Sequence, residues 1–257
     1  MPQDRDMSGF QQIMRLFGGK SPAFTAPLAP DMPFVAVGDI HGRADLLDQL
    51  LEKLPTLAPD MPCVFVGDYV DRGPESAAVL RRLRALEMDG GGNVICLLGN
   101  HEAMLLDAID SPTESAKFWL GNGGNKTLQS LGIPDDITPK DLPAALKDAL
   151  GADVLSWLRN RPLLWQNGNV IVCHAGGDPE RPLEARRGHA LLWGHPRLHT
   201  SPRQDGLWVV HGHFIQATPH VQMGRVAIDT GAYKTDRLTA ARITREGVDF
   251  FTTSSTK

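Results

Sequence analysis

From residue 34 onward the chain alternates between short, wholly apolar runs and longer stretches in which apolar residues recur every three or four positions. The run at 34–37 is followed by Leu46, Leu47, Leu50, Leu51 and Leu54, the spacing of one helix face. A second run at 63–66 precedes a helical stretch near 75–86, and a third at 94–98 precedes one near 102–109. Strands buried on both faces read as continuous apolar runs, and their alternation with helices predicts parallel strands joined by crossovers. Residues 112–161 read as a mostly helical insert broken by "GNGGN" at 121–125, a turn or a piece of a site lining. After Arg161 short β-like runs dominate, at 163–166, 170–173, 208–211, 226–228, 238–243 and 248–251. "QNGN" at 166–169 reads as a hairpin turn. A β-α-β first half and a mostly β second half predict two facing sheets with helices outside. No internal repeat and no second domain boundary is visible.

Residues 1–30 are polar, then rich in Pro and Ala, and read as a flexible leader before one folded domain at 31–257. "GGKS" at 18–21 resembles the end of a phosphate-binding loop. However, the first glycine of that motif should fall at position 14, which is Met14, and no strand precedes it. The length of 257 residues and 42% hydrophobic content suffice for one large core. A net charge of −4 without a Lys/Arg block argues against a nucleic-acid partner, and "RRLR" at 81–84 reads as a solvated helix face. No apolar run reaches membrane-spanning length and the N-terminus lacks the apolar core of a secretory signal, so no membrane is expected and the cytoplasm is. Cys63, Cys96 and Cys173 each sit in an apolar run outside any C-x-x-C pair, which predicts buried free thiols in a reducing compartment.

Chemistry gathers where the apolar runs end. Asp39 and His41 follow the first, Asp68 the second, Asn100 and His101 the third. His174 follows "VIVC", while His211 and His213 follow at "LWVV". Ligands of parallel sheets bind beyond the carboxyl ends of strands, so five such ends predict one shared rim. Its oxygen and nitrogen donors, with no sulfur, suit Mn, Fe or Zn. The donors outnumber the needs of one ion, and two ions call for a carboxylate that reaches both. His189, His199 and His220 carry no comparable pattern and are expected to be structural or exposed. Trp119, Trp157 and Trp165 are expected in the core.

"GDIHG", "GDYVDRG", "GNHE", "HAG", "GH" and "DTG" occur in the order found in the metallophosphoesterase superfamily. The full "GDYVDRG" and "GNHE" resemble its serine/threonine phosphoprotein phosphatase branch, bacterial and phage members included. The resemblance spans about residues 34–251 and implies a four-layer α/β/β/α fold of two mixed sheets flanked by helices. It further implies that Asp39 and His41 hold a first metal, Asp68 bridges, and Asn100, His174 and His213 hold the second. His101 then matches the general acid, Asp71 the carboxylate that orients it, and Arg72 a phosphate-binding arginine. The second phosphate-binding arginine of the family falls at His195 in "LLWGHPR", so either Arg197, two residues on, or His195 itself takes its place. Two divalent ions, Mn2+ first with Fe or Zn as alternatives, would activate a bridging hydroxide that attacks phosphorus directly. Asn100 would also help bind phosphate. The implied substrate is a phosphate monoester, with phosphoserine or phosphothreonine in proteins foremost. A dinucleoside polyphosphate hydrolase, such as one acting on diadenosine tetraphosphate, is the alternative, and a non-catalytic metal-loaded scaffold a further one. Nothing in the sequence speaks to oligomeric state.

Overall fold

The computed structural model describes residues 23–183 and 188–253. Three parallel strands, β1 (Phe34–Val37), β2 (Cys63–Phe65) and β3 (Val94–Cys96), are each followed by a helix: α1 (Ala44–Leu57), α2 (Ser76–Asp89) and α3 (Asn100–Asp110). The insert supplies α4 (Pro112–Trp119), a π turn (Leu120–Gly124), α5 (Asn125–Ser130) and α6 (Leu142–Arg159), the last broken at Gly151. A hairpin of β4 (Leu164–Asn167) and β5 (Val170–Cys173) turns at Gly168, as "QNGN" predicts. Then come α7 (Gly188–Trp193), a 3-10 turn (Pro196–His199), β6 (Trp208–His211), β7 (His220–Gln222) and β8 (Arg225–Ala227). The described chain closes with α8 (Ala232–Thr235), β9 (Thr239–Ile243) and β10 (Val248–Thr252).

Two mixed five-stranded sheets result, ordered β10-β9-β1-β2-β3 and β4-β5-β6-β8-β7. Side-chain alternation along each strand divides the core between layers. Phe34, Ala36, Val64 and Val66 pack with Val170, Val172, Val210 and Val226 between the sheets. Val35, Val37, Phe65 and Cys96 turn the other way, onto the leucines of α1, α2 and α3. The outer face of the second sheet is more thinly covered: Cys173 and Val209 meet Leu191 of the six-residue α7. This is the expected arrangement of two mixed sheets flanked by helices, with one helical layer much slimmer than the other.

Strand β7, the short helices α7 and α8, and the 3-10 turn were not foreseen. Each is at most six residues long, too short for a periodic signal. Residues 24–30, the described end of the expected leader, make defined contacts. Asn169 holds the Ala29 N–H (2.8 Å) and the Pro27 carbonyl (2.8 Å), the Trp208 indole N–H donates to Ala26, and Phe24 stacks edge-on against Trp208. Residues 24–30 thus lie along the second sheet because its rim offers a side-chain amide and an indole to their backbone. The "GGKS" stretch lies outside the described residues.

Candidate metal centre and active site

The carboxyl ends of β1, β2 and β3 in one sheet and of β5 and β6 in the other point toward one rim, and the predicted polar residues sit there. Asp39, His41, Asp68, Asn100, His101 and His174 are all buried, and His213 is half-buried. Tight turns carry them. His41, Asp68, Asp71, Arg72 and His213 account for five of the eight non-glycine residues with positive φ among the described residues. Left-handed backbone of this kind persists only where surrounding contacts enforce it, and it clusters at functional sites. Glycines make the close approach possible: a Cβ on Gly212 would lie 1.9 Å from Asp39 Oδ1.

Asp68 stands at the centre, and its two oxygens face different groups. Oδ2 lies 3.4 Å from His41 Nε2 and 3.9 Å from His101 Nε2, while Oδ1 lies 3.3 Å from His174 Nε2. Two sets of donor atoms, His41/Asp68/His101 and Asp68/His174/His213, are each compact enough to surround a cation. The chemistry of the second set fits a cation well. His174 donates its Nδ1–H to the Val66 carbonyl (3.2 Å), so Nε2 presents a lone pair. That lone pair faces Asn100 Oδ1 at 2.8 Å and His213 Nδ1 at 3.2 Å, and His213 Nδ1 lies 3.0 Å from the same oxygen. With its hydrogen on Nε2, His213 completes a group of three acceptors that a cation would satisfy. His41 repeats the design: Nδ1–H donates to the Val70 carbonyl (2.8 Å) and Nε2 turns inward. A backbone partner on the outer nitrogen is what fixes a metal-binding imidazole.

Electrostatics agree. Burial drives the His41 pKa down to about 3 and, aided by His174, that of His213 to about 4, so both rings are neutral. Burial opposes the Asp68 charge, yet His174, His101 and His41 hold its pKa below the usual carboxylate range. Asp39 is pushed well above that range by burial and by the Asp229 and Asp68 carboxylates, and burial raises Asp229 to about 6. A cation held here would offset the mutual repulsion of Asp39, Asp68 and Asp229. Asp39 itself accepts the His213 N–H (3.0 Å), which ties the first strand's turn to the sixth's.

A second arrangement adjoins the first. His101 Nδ1–H donates to Asp71 Oδ2 at 2.7 Å, leaving Nε2 free. Asp71 also accepts the Trp119 indole N–H (3.0 Å) and the Thr127 hydroxyl (2.6 Å). Burial works against an imidazolium at His101, but Asp68 and the Asp71 hydrogen bond outweigh it, so the pKa is raised. Arg72 Nη1 lies 3.2 Å from His41 Nε2, and its guanidinium covers the Tyr233 ring at 5.1 Å. The Arg72 N–H donates to the Gly123 carbonyl (3.3 Å), so the "GNGGN" segment does border the site.

Arg197, His195 and His211 lie outside the two donor sets. Arg197 is drawn to Glu180 by an ion pair and is exposed, so it is not gathered into the cluster. His195 contacts Asp178 (3.8 Å) and faces a neighbouring cavity of about 300 Å³, also walled by Arg181, Leu183 and Leu191. His211 turns its Nδ1–H onto the Gly212 carbonyl (2.9 Å) and stays out of the donor sets. Trp119 is buried as expected, yet it also holds Asp71. Sequence reasoning missed Tyr233, Thr127 and the structural part of Glu102. Only the last carried a signal, as the acidic residue of "GNHE".

Fold and site together define a metal-dependent phosphoesterase. Residues 32–240 match the calcineurin-like phosphoesterase family, and the chain belongs to that family, with the dinuclear divalent centre it implies. Among curated relatives, the chain is 34% identical over 150 residues to the bis(5'-nucleosyl)-tetraphosphatase, symmetrical, of Dechloromonas aromatica, covering 58% of this chain and 45% of that one. It is 31% identical over 154 residues to the protein of the same name from Vibrio campbellii, covering 60% and 48%. The chain thus spans about half the length of the curated relatives it matches. Among solved structures, one provisionally described as a diadenosine tetraphosphatase superposes with a TM-score of 0.59 at 22% identity, covering 90% of this chain and all of that one. A cold-active protein-tyrosine phosphatase of a Shewanella species gives 0.59 at 19% identity, covering 89% and 83%. A serine/threonine phosphatase of Saccharomyces cerevisiae gives 0.58 at 16%, covering 89% and 82%. At these identities the structures share the fold.

The relatives overturn one expectation. Phosphoserine or phosphothreonine of proteins was the foremost substrate, but the curated relatives at 31–34% identity are named as tetraphosphatases of dinucleotides. "GDYVDRG" and "GNHE" bring Asp68, Asp71, Arg72, Asn100 and His101 to one rim, and phosphoesterases of different substrates can share such motifs. No helix among the described residues is long and apolar enough to cross a membrane.

Proposed function

We propose that this protein hydrolyses dinucleoside polyphosphates, with diadenosine tetraphosphate as the type substrate, cleaving it symmetrically into two nucleoside diphosphates. The observation that carries this reading is the 31–34% identity, over 150–154 residues, to proteins that bear that activity in their name. The residues proposed to hold the two divalent ions are Asp39, His41 and Asp68 for one and Asp68, Asn100, His174 and His213 for the other. When bound, such ions supply Lewis acidity and an activated water. Mn2+ is the proposed metal.

The chain's own groups complete the chemistry. Arg72, steadied by Tyr233, presents a guanidinium that binds phosphoryl oxygens. His101 carries a proton at Nε2, held there by the Asp71 hydrogen bond on the opposite nitrogen, and gives it to the leaving oxygen. Asn100 contributes its amide N–H to the same phosphate. Arg197 reaches phosphate only after leaving Glu180, so it is assigned to a distal phosphate. We place the enzyme in the cytoplasm.

The test compares products. The manganese-loaded protein should release ADP as the sole nucleotide from diadenosine tetraphosphate, with kcat/KM at least tenfold above that for phosphopeptides. Faster dephosphorylation of phosphopeptides would overturn the reading. A nucleotide phosphate is a far weaker base than an alkoxide, so its departure needs less protonation. His101→Asn should therefore reduce turnover of an alkyl phosphate by about 10²–10⁴-fold, and of the dinucleotide by much less.

A further inference from the structure

A single exposed apolar side chain is ordinary, whereas a contiguous apolar patch marks a binding surface. Phe118, at the end of α4, is 56% exposed. Its ring centroid lies 6.1 Å from that of Trp193 at the end of α7, and Trp193 stacks on His189 of the same helix at 6.4 Å and 29°. Three rings from two separate elements thus form a row. The distances are those of interacting aromatic pairs.

Both ends of the row are fastened to the catalytic groups. Phe118 immediately precedes Trp119, whose indole holds Asp71, and the same segment reaches Gly123, which backs Arg72. Trp193 immediately precedes Gly194, whose backbone packs against the Phe214 ring next to His213. The row therefore joins two segments, each one residue away from a group that borders the rim. None of the three carries a carboxylate that would repel a polyphosphate.

We propose that Phe118, Trp193 and His189 form a stacking platform for a purine base of the nucleotide whose phosphates are cleaved. The inference rests on the dinucleotide reading above and extends it to the base. Every base has a π face, so a platform of this kind contributes affinity without strict choice among bases. It also supplies what the shared motifs lack, a contact beyond the phosphates that separates nucleotides from simple phosphoesters.

Calorimetric titration of the manganese-loaded chain of residues 1–257 with ADP, and separately with inorganic pyrophosphate, tests it. Phe118→Ala and Trp193→Ala should each raise the Kd for ADP about tenfold, within the range of one lost base–aromatic stack. The Kd for pyrophosphate should move less than twofold. Trp193→Phe should recover most of the ADP affinity. Phe118 is exposed, so its variant keeps the test available if Trp193→Ala fails to fold. Unchanged ADP affinity in Phe118→Ala and Trp193→Ala overturns the platform. So does a parallel loss of ADP and pyrophosphate, which would mean that the rings only support the fold. Weakened phosphopeptide binding with ADP unaffected would assign the rings to a peptide instead. If ADP shows the expected pattern while diadenosine tetraphosphate is not cleaved, the proposed function fails and the platform stands.

Discussion

Glu102 is fully buried, and its carboxylate accepts four backbone N–H groups: Asp68 (2.8 Å), Gly99 (3.0 Å), Tyr69 (2.7 Å) and Val70 (3.1 Å). It closes the first turn of α3 and at the same time holds the left-handed turn that presents Asp68. Removing it strands buried donors, each of which costs about 1–3 kcal/mol. Glu102→Ala should lower the unfolding free energy by several kcal/mol by that reckoning, and Glu102→Gln by less, because one amide oxygen still accepts; denaturant titration reads the difference. At Gly212 the constraint is steric. Gly212→Ala would drive a methyl into Asp39 Oδ1, so bound manganese should fall from two per chain toward one by elemental analysis, while the far-ultraviolet spectrum stays unchanged. Both residues were visible in short motifs. What they do was not, because Glu102 acts on residues 32–34 positions away and Gly212 on one 173 away.

At the scale of elements, the insert is the part whose purpose periodicity does not reveal. Helices α4 and α5 could have been a solvent-side decoration. Instead Trp119 and Thr127 converge on Asp71, and the π turn between the helices sets Gly123 on Arg72. Trp119→Phe keeps the buried ring and deletes one N–H to a carboxylate. A hydrogen bond to a charged group contributes about 1.5–3 kcal/mol, so kcat should fall by about tenfold or more as Asp71 and His101 lose register, with stability reduced in parallel. A retained kcat would show that Asp71 is held well enough by Thr127 alone. The apolar strands, in contrast, were legible almost residue by residue. A strand covered on both sides must be apolar throughout, and the chain has few other reasons to write "FVAV" or "VIVC".

For the molecule as a whole, two bulk measurements follow. If the six proposed ligand residues hold cations in the native state only, chelation should lower the thermal midpoint and added Mn2+ should restore it. A site saturated 100-fold above its Kd stabilises by about 2.7 kcal/mol. No shift on chelation would argue against cations in the native protein. The thiols report on the core. Burial pushes Cys173 up to about 12 from an ordinary 9.0, and Cys96 well above the same value. A raised thiol pKa leaves the stabilising contribution intact below pH 9, and it is lost as pH climbs toward 12, because the unfolded thiol ionises first. Native protein at pH 8 should therefore leave Cys96 and Cys173 unlabelled by iodoacetamide, and stability should decline above pH 9.

The sequence by itself determined the strand runs, the two-sheet architecture, the family and the residues at the rim, since each depends on local periodicity or on a motif of three to seven contiguous positions. Tertiary structure decided the rest: that Asp68 divides its oxygens between two donor sets, that Arg197 is taken by Glu180, that residues 24–30 lie on the second sheet, and that Phe118 meets Trp193. These are encounters between residues far apart in the chain, and no pattern along the chain encodes which distant partner a side chain will meet. Substrate choice belongs to the second kind. The motifs carry the chemistry of phosphorus, and the identity of what is attached to it is written in surfaces that only folding assembles.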